Sequence, residues 1–155
     1  MKSGVRKQLD NLDKLNELLA QKVRIRVGIF GQDSTRTDSD DVDNAFIGSV
    51  HENGAPEVGI PQRSWLRMPL IKMKNKIFQE GMANALVLIA HDKWKMVWEN
   101  MGLACLRQIS AAFDTEGFGT WEPLKMETIR RKGSSWPLID TQQLRKSPNY
   151  EVLLG

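Results

Sequence analysis

His51 stands beside Glu52, Cys105 is the only cysteine, and Asp33, Asp38, Asp40, Asp41 and Asp43 crowd one short stretch. Each invites a chemistry: acid–base or metal work by the first pair, thiol nucleophilicity by the second, calcium binding by the third. A histidine-based metal site needs a second ligand set. His91 is the only other histidine, and it shares no HExxH spacing with His51. The aspartates lack the glycine and the terminal glutamate of an EF-hand loop, so they read as solvated acid. Gly117-Phe118-Gly119 lacks the preceding strand and third glycine of a phosphate loop. No base is tied by motif to Cys105, which reads as a small core residue. Asp140-Thr141 likewise has no partner motif. No catalytic residue, metal ligand or cofactor site is therefore expected, and the chain should act by binding.

The composition suits such a protein. With 155 residues, 41% hydrophobic and 26% charged, residues 1–155 form one domain with one core. No stretch approaches the roughly 18 apolar residues of a membrane span, and Met1 to Asp10 lacks the apolar centre of a signal peptide. A cytoplasmic chain without an intrachain disulfide is expected. A net charge of +3 is too small to diagnose nucleic-acid binding, but its distribution is uneven. Residues 31–60 hold seven acids against Arg36, whereas Arg63, Arg67, Lys72, Lys74 and Lys76 follow with no acid among them. Such blocks can pair copies head to tail, or can simply be two solvated segments.

The elements follow from periodicity. Leu9, Leu12, Leu15, Leu18 and Leu19 recur at helical steps over residues 5–20. Residues 22–30 alternate Val23, Ile25, Val27 and Ile29 with Lys22, Arg24, Arg26 and Gly28, as in a half-buried strand. Residues 31–43 should be a mobile acidic loop that orders only against a neighbour. Residues 42–52 suit a short helix carrying Ala45, Phe46, Ile47 and Val50 inward, and Trp65 suits a core anchor between Arg63 and Arg67. Helical periodicity then runs from Pro69 to Phe113. A single helix of that length would reach roughly 67 Å at ~1.5 Å per residue, so a break near His91 to Lys93 and a helical hairpin are expected. Gly81 and Gly102 suggest close helix approach. Residues 114–120 read as a flexible linker. Glu122-Pro123 should open a helix that ends at Arg130-Arg131-Lys132-Gly133. Asp140 should cap a turn with Gln143 three residues on. Residues 149–154 complete the fold as a strand paired with residues 22–30. The fold class is α+β: a small antiparallel sheet, open to a third strand, packed against a long helical hairpin and an N-terminal helix.

Two groups of residues resemble a known family. Pro123-Leu124, Thr128, Lys132-Gly133 and Pro137-Leu138-Ile139-Asp140-Thr141 with Leu144 and Ser147 are similar to the C-terminal signature of tailed-phage virion morphogenesis proteins. Upstream, His51-Glu52-Asn53-Gly54 and Ile60-Pro61-Gln62-Arg63-Ser64-Trp65-Leu66-Arg67 resemble that family's His-Glu-aromatic-Gly and Ile-Pro-x-Arg-Pro-Phe-Leu-Arg. The match covers about two thirds of the chain in the expected order. Where the family usually has glycine, proline and isoleucine, this chain has Gln142, Ser64 and Pro148.

The resemblance implies a tail completion or neck subunit without catalysis, made in the host cytoplasm and retained in the virion. It also implies a homo-oligomeric, hexameric ring that meets connector and tail proteins, with no membrane partner. The signature region at 119–148 would present the docking surface. Candidate contact residues are Arg63, Trp65, Arg67, Trp121, Arg130, Arg131, Trp136, Asp140 and Arg145. The alternatives are a tail terminator and a nucleic-acid-binding module using Lys72, Lys74, Lys76, Arg130, Arg131 and Lys132, which could touch genomic DNA non-specifically.

Overall fold

The computed structural model describes residues 2–36, 42–133, 135–138 and 142–155. Asp38, Asp40, Asp41 and Asp140 lie outside them. The chain is α+β, in the order α1 (Lys2–Ala20), β1 (Val23–Gly28), α2 (Asn44–Asn53), α3 (Arg67–Lys72), α4 (Lys74–Met82), α5 (Ala85–Ala90), α6 (Lys95–Asp114), α7 (Glu116–Gly119), α8 (Met126–Lys132), α9 (Gln143–Lys146) and β2 (Asn149–Leu154).

β1 and β2 pair antiparallel, with Ile25 opposite Val152 and Val27 opposite Tyr150. The alternation of β1 keeps Arg24 and Arg26 exposed while Val23, Ile25 and Val27 are half-buried. Among the described residues the sheet has these two strands and no third. It lies across α6, the spine of the molecule, whose Ala104, Ile109, Ala112 and Phe113 are wholly buried. Gly102 makes that contact possible: a Cβ there would fall 2.2 Å from Tyr150 Cδ2. Gly81 does the same between α4 and α6, since its Cβ would fall 2.8 Å from Met101 Cα. Both glycines thus mark close approaches, in keeping with their cost to helix propensity.

The hairpin is present, with its turn at residues 91–94, where Lys93 N donates to Leu88 O over 2.8 Å and Asp92 has φ 60°. Its first arm is broken twice more, at Met73 and at Ala83-Asn84, where Asn84 turns left-handed at φ 63°. α4 packs along α6. Two clusters fill the interior: Trp65, Ile109, Ala112, Phe113, Trp121 and Leu144 form the larger, and Ala85, Ile89 and Val97 form the smaller.

Three expectations change. α2 buries Asn44, Gly48 and Glu52, whereas Phe46 points outward and is 61% exposed. The polar residues win because each has a partner: Arg36 Nη1 donates to Asn44 Oδ1, and Asn44 Nδ2 donates to Thr35 O. Residues 114–120 form a defined turn, in which Glu116, Gly117 and Phe118 all have positive φ and Thr115 Oγ1 accepts from Phe118 N. The helix foreseen at Glu122-Pro123 begins at Met126, after an extended Lys125 (φ −63°, ψ 146°). The carbonyl of Glu122 accepts instead from Arg63 Nε and Nη2, outside any helix. The acidic loop foreseen at residues 31–43 lies partly outside the described residues; its described ends are hydrogen-bonded into the fold. Residues 31–34 form a 3-10 turn, Asn149 Nδ2 donates to Asp33, and Asp43 caps α2 by accepting from Phe46 N at 2.7 Å. That last bond holds the Asp43 carboxyl below the usual carboxylate range.

Candidate docking surface

The upstream family-like stretch is held at one node to Trp121 and Glu122, just before the C-terminal one, and Leu144 of the latter joins the same cluster. The node begins at Gly48 of α2, whose missing Cβ admits the indole of Trp65; a Cβ would sit 2.8 Å from Cζ2. Trp65 Nε1 donates to Gly48 O at 2.8 Å. One helical turn on, the buried carboxylate of Glu52 accepts from Ser64 Oγ (2.8 Å), Leu66 N (2.9 Å), Arg67 N (3.2 Å) and Arg67 Nε (2.9 Å). Glu52 thereby serves as the N-terminal cap of α3 from a different helix, satisfying amides that no intrahelical carbonyl reaches. Ser64 Oγ accepts from Met68 N, the next of those amides.

Arg63 ties this half to the other. Its Nε and Nη2 donate to Glu122 O at 3.0 and 2.8 Å, while its own amide donates to His51 O. Burial pulls the Arg63 pKa down and the Glu122 charge opposes that pull. Trp121 Nε1 donates to Ser64 O, and Phe113 lies between Trp65 (centroids 6.0 Å apart) and Trp121 (5.8 Å, edge to face). Leu144 of α9 packs on the same cluster.

The node corrects three of the candidate contact residues. Arg63, Trp65 and Trp121 are 4%, 3% and 7% exposed and bind the chain to itself, so they shape a surface without being part of it. Arg145 is turned inward to Asp114 and Ser110, and Arg67 is committed to Glu52 and Asn53. What faces outward is α8 and its surroundings. Arg130 and Arg131 are exposed, Met126 is 65% exposed, and Trp136 is 45% exposed beside a fully buried Pro137. α8 stands between two clefts, of about 410 Å³ toward Ile60 and Pro61 and about 240 Å³ toward Ile47, Leu138 and Leu144. His51, Arg63, Leu124 and Thr128 line both.

No protein family, curated protein or solved structure matches this chain. The site therefore has to be read from its own chemistry. Cys105 is half-buried, and burial pushes its thiol pKa up, away from the thiolate a nucleophile needs. His91 sits exposed in the hairpin turn. Among the described residues no three His, Cys, Asp or Glu side chains converge as a metal site. What the arrangement offers is a rigid polar and aromatic floor under an exposed, cationic and apolar helix. The sequence alone did not reveal Glu52 as a cap, because the amides it serves lie 14 and 15 residues away.

Proposed function

We propose that this chain is a structural subunit of the head–tail junction of a tailed phage, a tail completion or neck protein that acts by binding. One observation carries the reading: the two stretches similar to the family, residues 51–67 and 123–147, lie together in the fold, where Leu144 joins the Trp65 cluster and Leu124 and Thr128 line the same clefts as His51 and Arg63. Chance similarity in two distant segments gives no reason for them to interlock. Gln142 adds support, because it holds φ 60° at the position where the resembled signature has glycine.

In this reading copies close into a ring, and α8 with Trp136 forms the contact to a neighbouring connector or tail protein. A stable contact buries roughly 1,600 Å² and relies on arginine and tryptophan anchors, which Arg130, Arg131 and Trp136 provide. The nucleic-acid alternative is weakened by partial neutralisation of its basic block. Lys76 lies 3.9 Å from Glu80, and the neighbouring Arg67 pairs with Glu52.

The test is electron microscopy of a lysate from a phage whose gene for this chain carries a stop codon. Filled heads and finished tails accumulating unjoined are the expected result. Normal joined virions would sink the proposal.

A further inference from the structure

The two-stranded sheet leaves the outer edge of β1 unused. Gly155 N donates to Lys22 O at 2.9 Å, and the strands keep that register throughout, so the backbone groups of Arg24, Arg26 and Gly28 are the ones that bond to β2. In an antiparallel pair the bonded residues alternate, and those between them turn their amides and carbonyls the other way. On β1 these are Val23, Ile25 and Val27. Val23 N is taken by Gln21 O at 3.0 Å. Among the described residues no donor or acceptor meets the amide or carbonyl of Ile25 or Val27. The outer edge of β2, by contrast, is closed at its start, where Asn149 Oδ1 accepts from Tyr150 N at 2.8 Å.

A row of unpaired amides and carbonyls is a template for one kind of occupant, a chain in extended conformation. The side chains along the row select among such chains. Lys22, Arg24 and Arg26 are exposed on one face, while Val23, Ile25 and Val27 on the other are only half-buried. Arg26 shares Glu151 at 3.2 Å, and among the described residues Lys22 and Arg24 have no ion pair. We propose that this edge binds an extended acidic segment of a partner protein as a third strand. Carboxylates of that segment stand beside Arg24 and Arg26, and its apolar residues stand beside Val23, Ile25 and Val27. The arginines occupy the non-bonded positions of the new pair, where facing Cα atoms come within about 4.5 Å and side chains meet most closely.

The same charges turn away a second copy of this chain. Any antiparallel β1–β1 register that uses the outward groups sets Lys22, Arg24 and Arg26 against one another, and like charges directly opposite are destabilising. β2 of a second copy offers one carboxylate, Glu151, already paired with Arg26 of its own chain. The inference does not rest on the head–tail reading, since it is measured on the purified chain alone.

The test is amide hydrogen exchange of the full chain, read by NMR, with and without a synthetic peptide that alternates valine and glutamate and has blocked ends. In the free chain the Arg26 amide should exchange slowly and those of Ile25 and Val27 rapidly; with the peptide, the latter two should become protected. The peptide's valines stand opposite the bonding residues of β1, so N-methylating the valines should abolish binding, whereas N-methylating the glutamates should preserve it. Arg24→Glu changes one exposed side chain and should weaken binding several-fold with unchanged circular dichroism. Absence of binding, equal binding of the valine-methylated peptide, or equal affinity for a peptide with lysine in place of glutamate would overturn the proposal. So would protection of Ile25 and Val27 in a dimer of the free chain, which would assign the edge to a second copy. Normal virions from a phage lacking the gene would overturn the proposed function and leave the strand site standing.

Discussion

A buried carboxylate that accepts hydrogen bonds from a hydroxyl, two amides and a guanidinium leaves little room for substitution. Glu52→Gln keeps the shape but turns an NH₂ toward donors and removes the charge opposite Arg67. The expected loss is about 3 kcal/mol, the range for breaking a buried charge-assisted network, read as a shift in the urea midpoint at constant slope. An unmoved midpoint would mean that α3 is capped adequately without Glu52. Gln142 predicts the opposite sign. A non-glycine residue at φ 60° carries a left-handed penalty of roughly 1 kcal/mol, so Gln142→Gly should stabilise by up to about that amount in thermal unfolding. At this scale the sequence showed which residues matter and only some of what they do. Trp65 was legible as a core anchor and is one, whereas Arg63 and Trp121 read as contacts and are buried, and Glu52 did not read as a cap. Their roles depend on Gly48, Ser64 and Glu122, partners that no local spacing reveals.

Among the elements, the close approach of sheet and helix is the most sharply tested. Gly102→Ala places a methyl 2.2 Å from the Tyr150 ring, and α6 or β2 must shift to accept it. A loss of about 3 kcal/mol or more is expected, overpacking at a point where backbone and ring are both fixed. Pairing it with Tyr150→Ala should recover part of the loss, since the two substitutions share one space. The Tyr150 hydroxyl adds a pH dependence. Burial first, and then its hydrogen bond to Glu99 and that carboxylate's charge, raise its pKa above 10.0. The folded state therefore holds the proton more tightly than the unfolded one. Its contribution is full below pH 10.0 and is lost as pH rises through the raised folded value. Tyr150→Phe should flatten that alkaline fall in unfolding free energy, and an unchanged slope would assign the fall to other groups. The strand pair, the hairpin turn at residues 91–94 and the two close-approach glycines were legible because periodicity and chain breakers are local signals. The inward face of α2 and the start of α8 were not. In both cases a long-range hydrogen bond, to Asn44 or from Arg63, overrode the local pattern.

For the whole molecule, the separation of a buried node from an exposed helix makes the assembly reading testable apart from folding. Trp121→Ala removes a ring packed on Phe113 and over Gly117, and should cost about 3–5 kcal/mol and lower the amount of folded protein. Arg130→Glu with Arg131→Glu changes only exposed side chains, so stability should move by no more than about 0.5 kcal/mol. If α8 is the docking surface, the second variant, although folded, should fail to restore infectious particles to a phage lacking the gene. Trp136→Ala should weaken restoration in the same way. The decisive comparison is between stability and restoration in one set of proteins. A charge-reversed α8 that folds normally and restores virions fully would move the docking surface elsewhere, while the interlocked node would still hold the two halves of the chain together. A variant that loses restoration only in proportion to its lost stability would show that α8 serves the fold and contacts no partner.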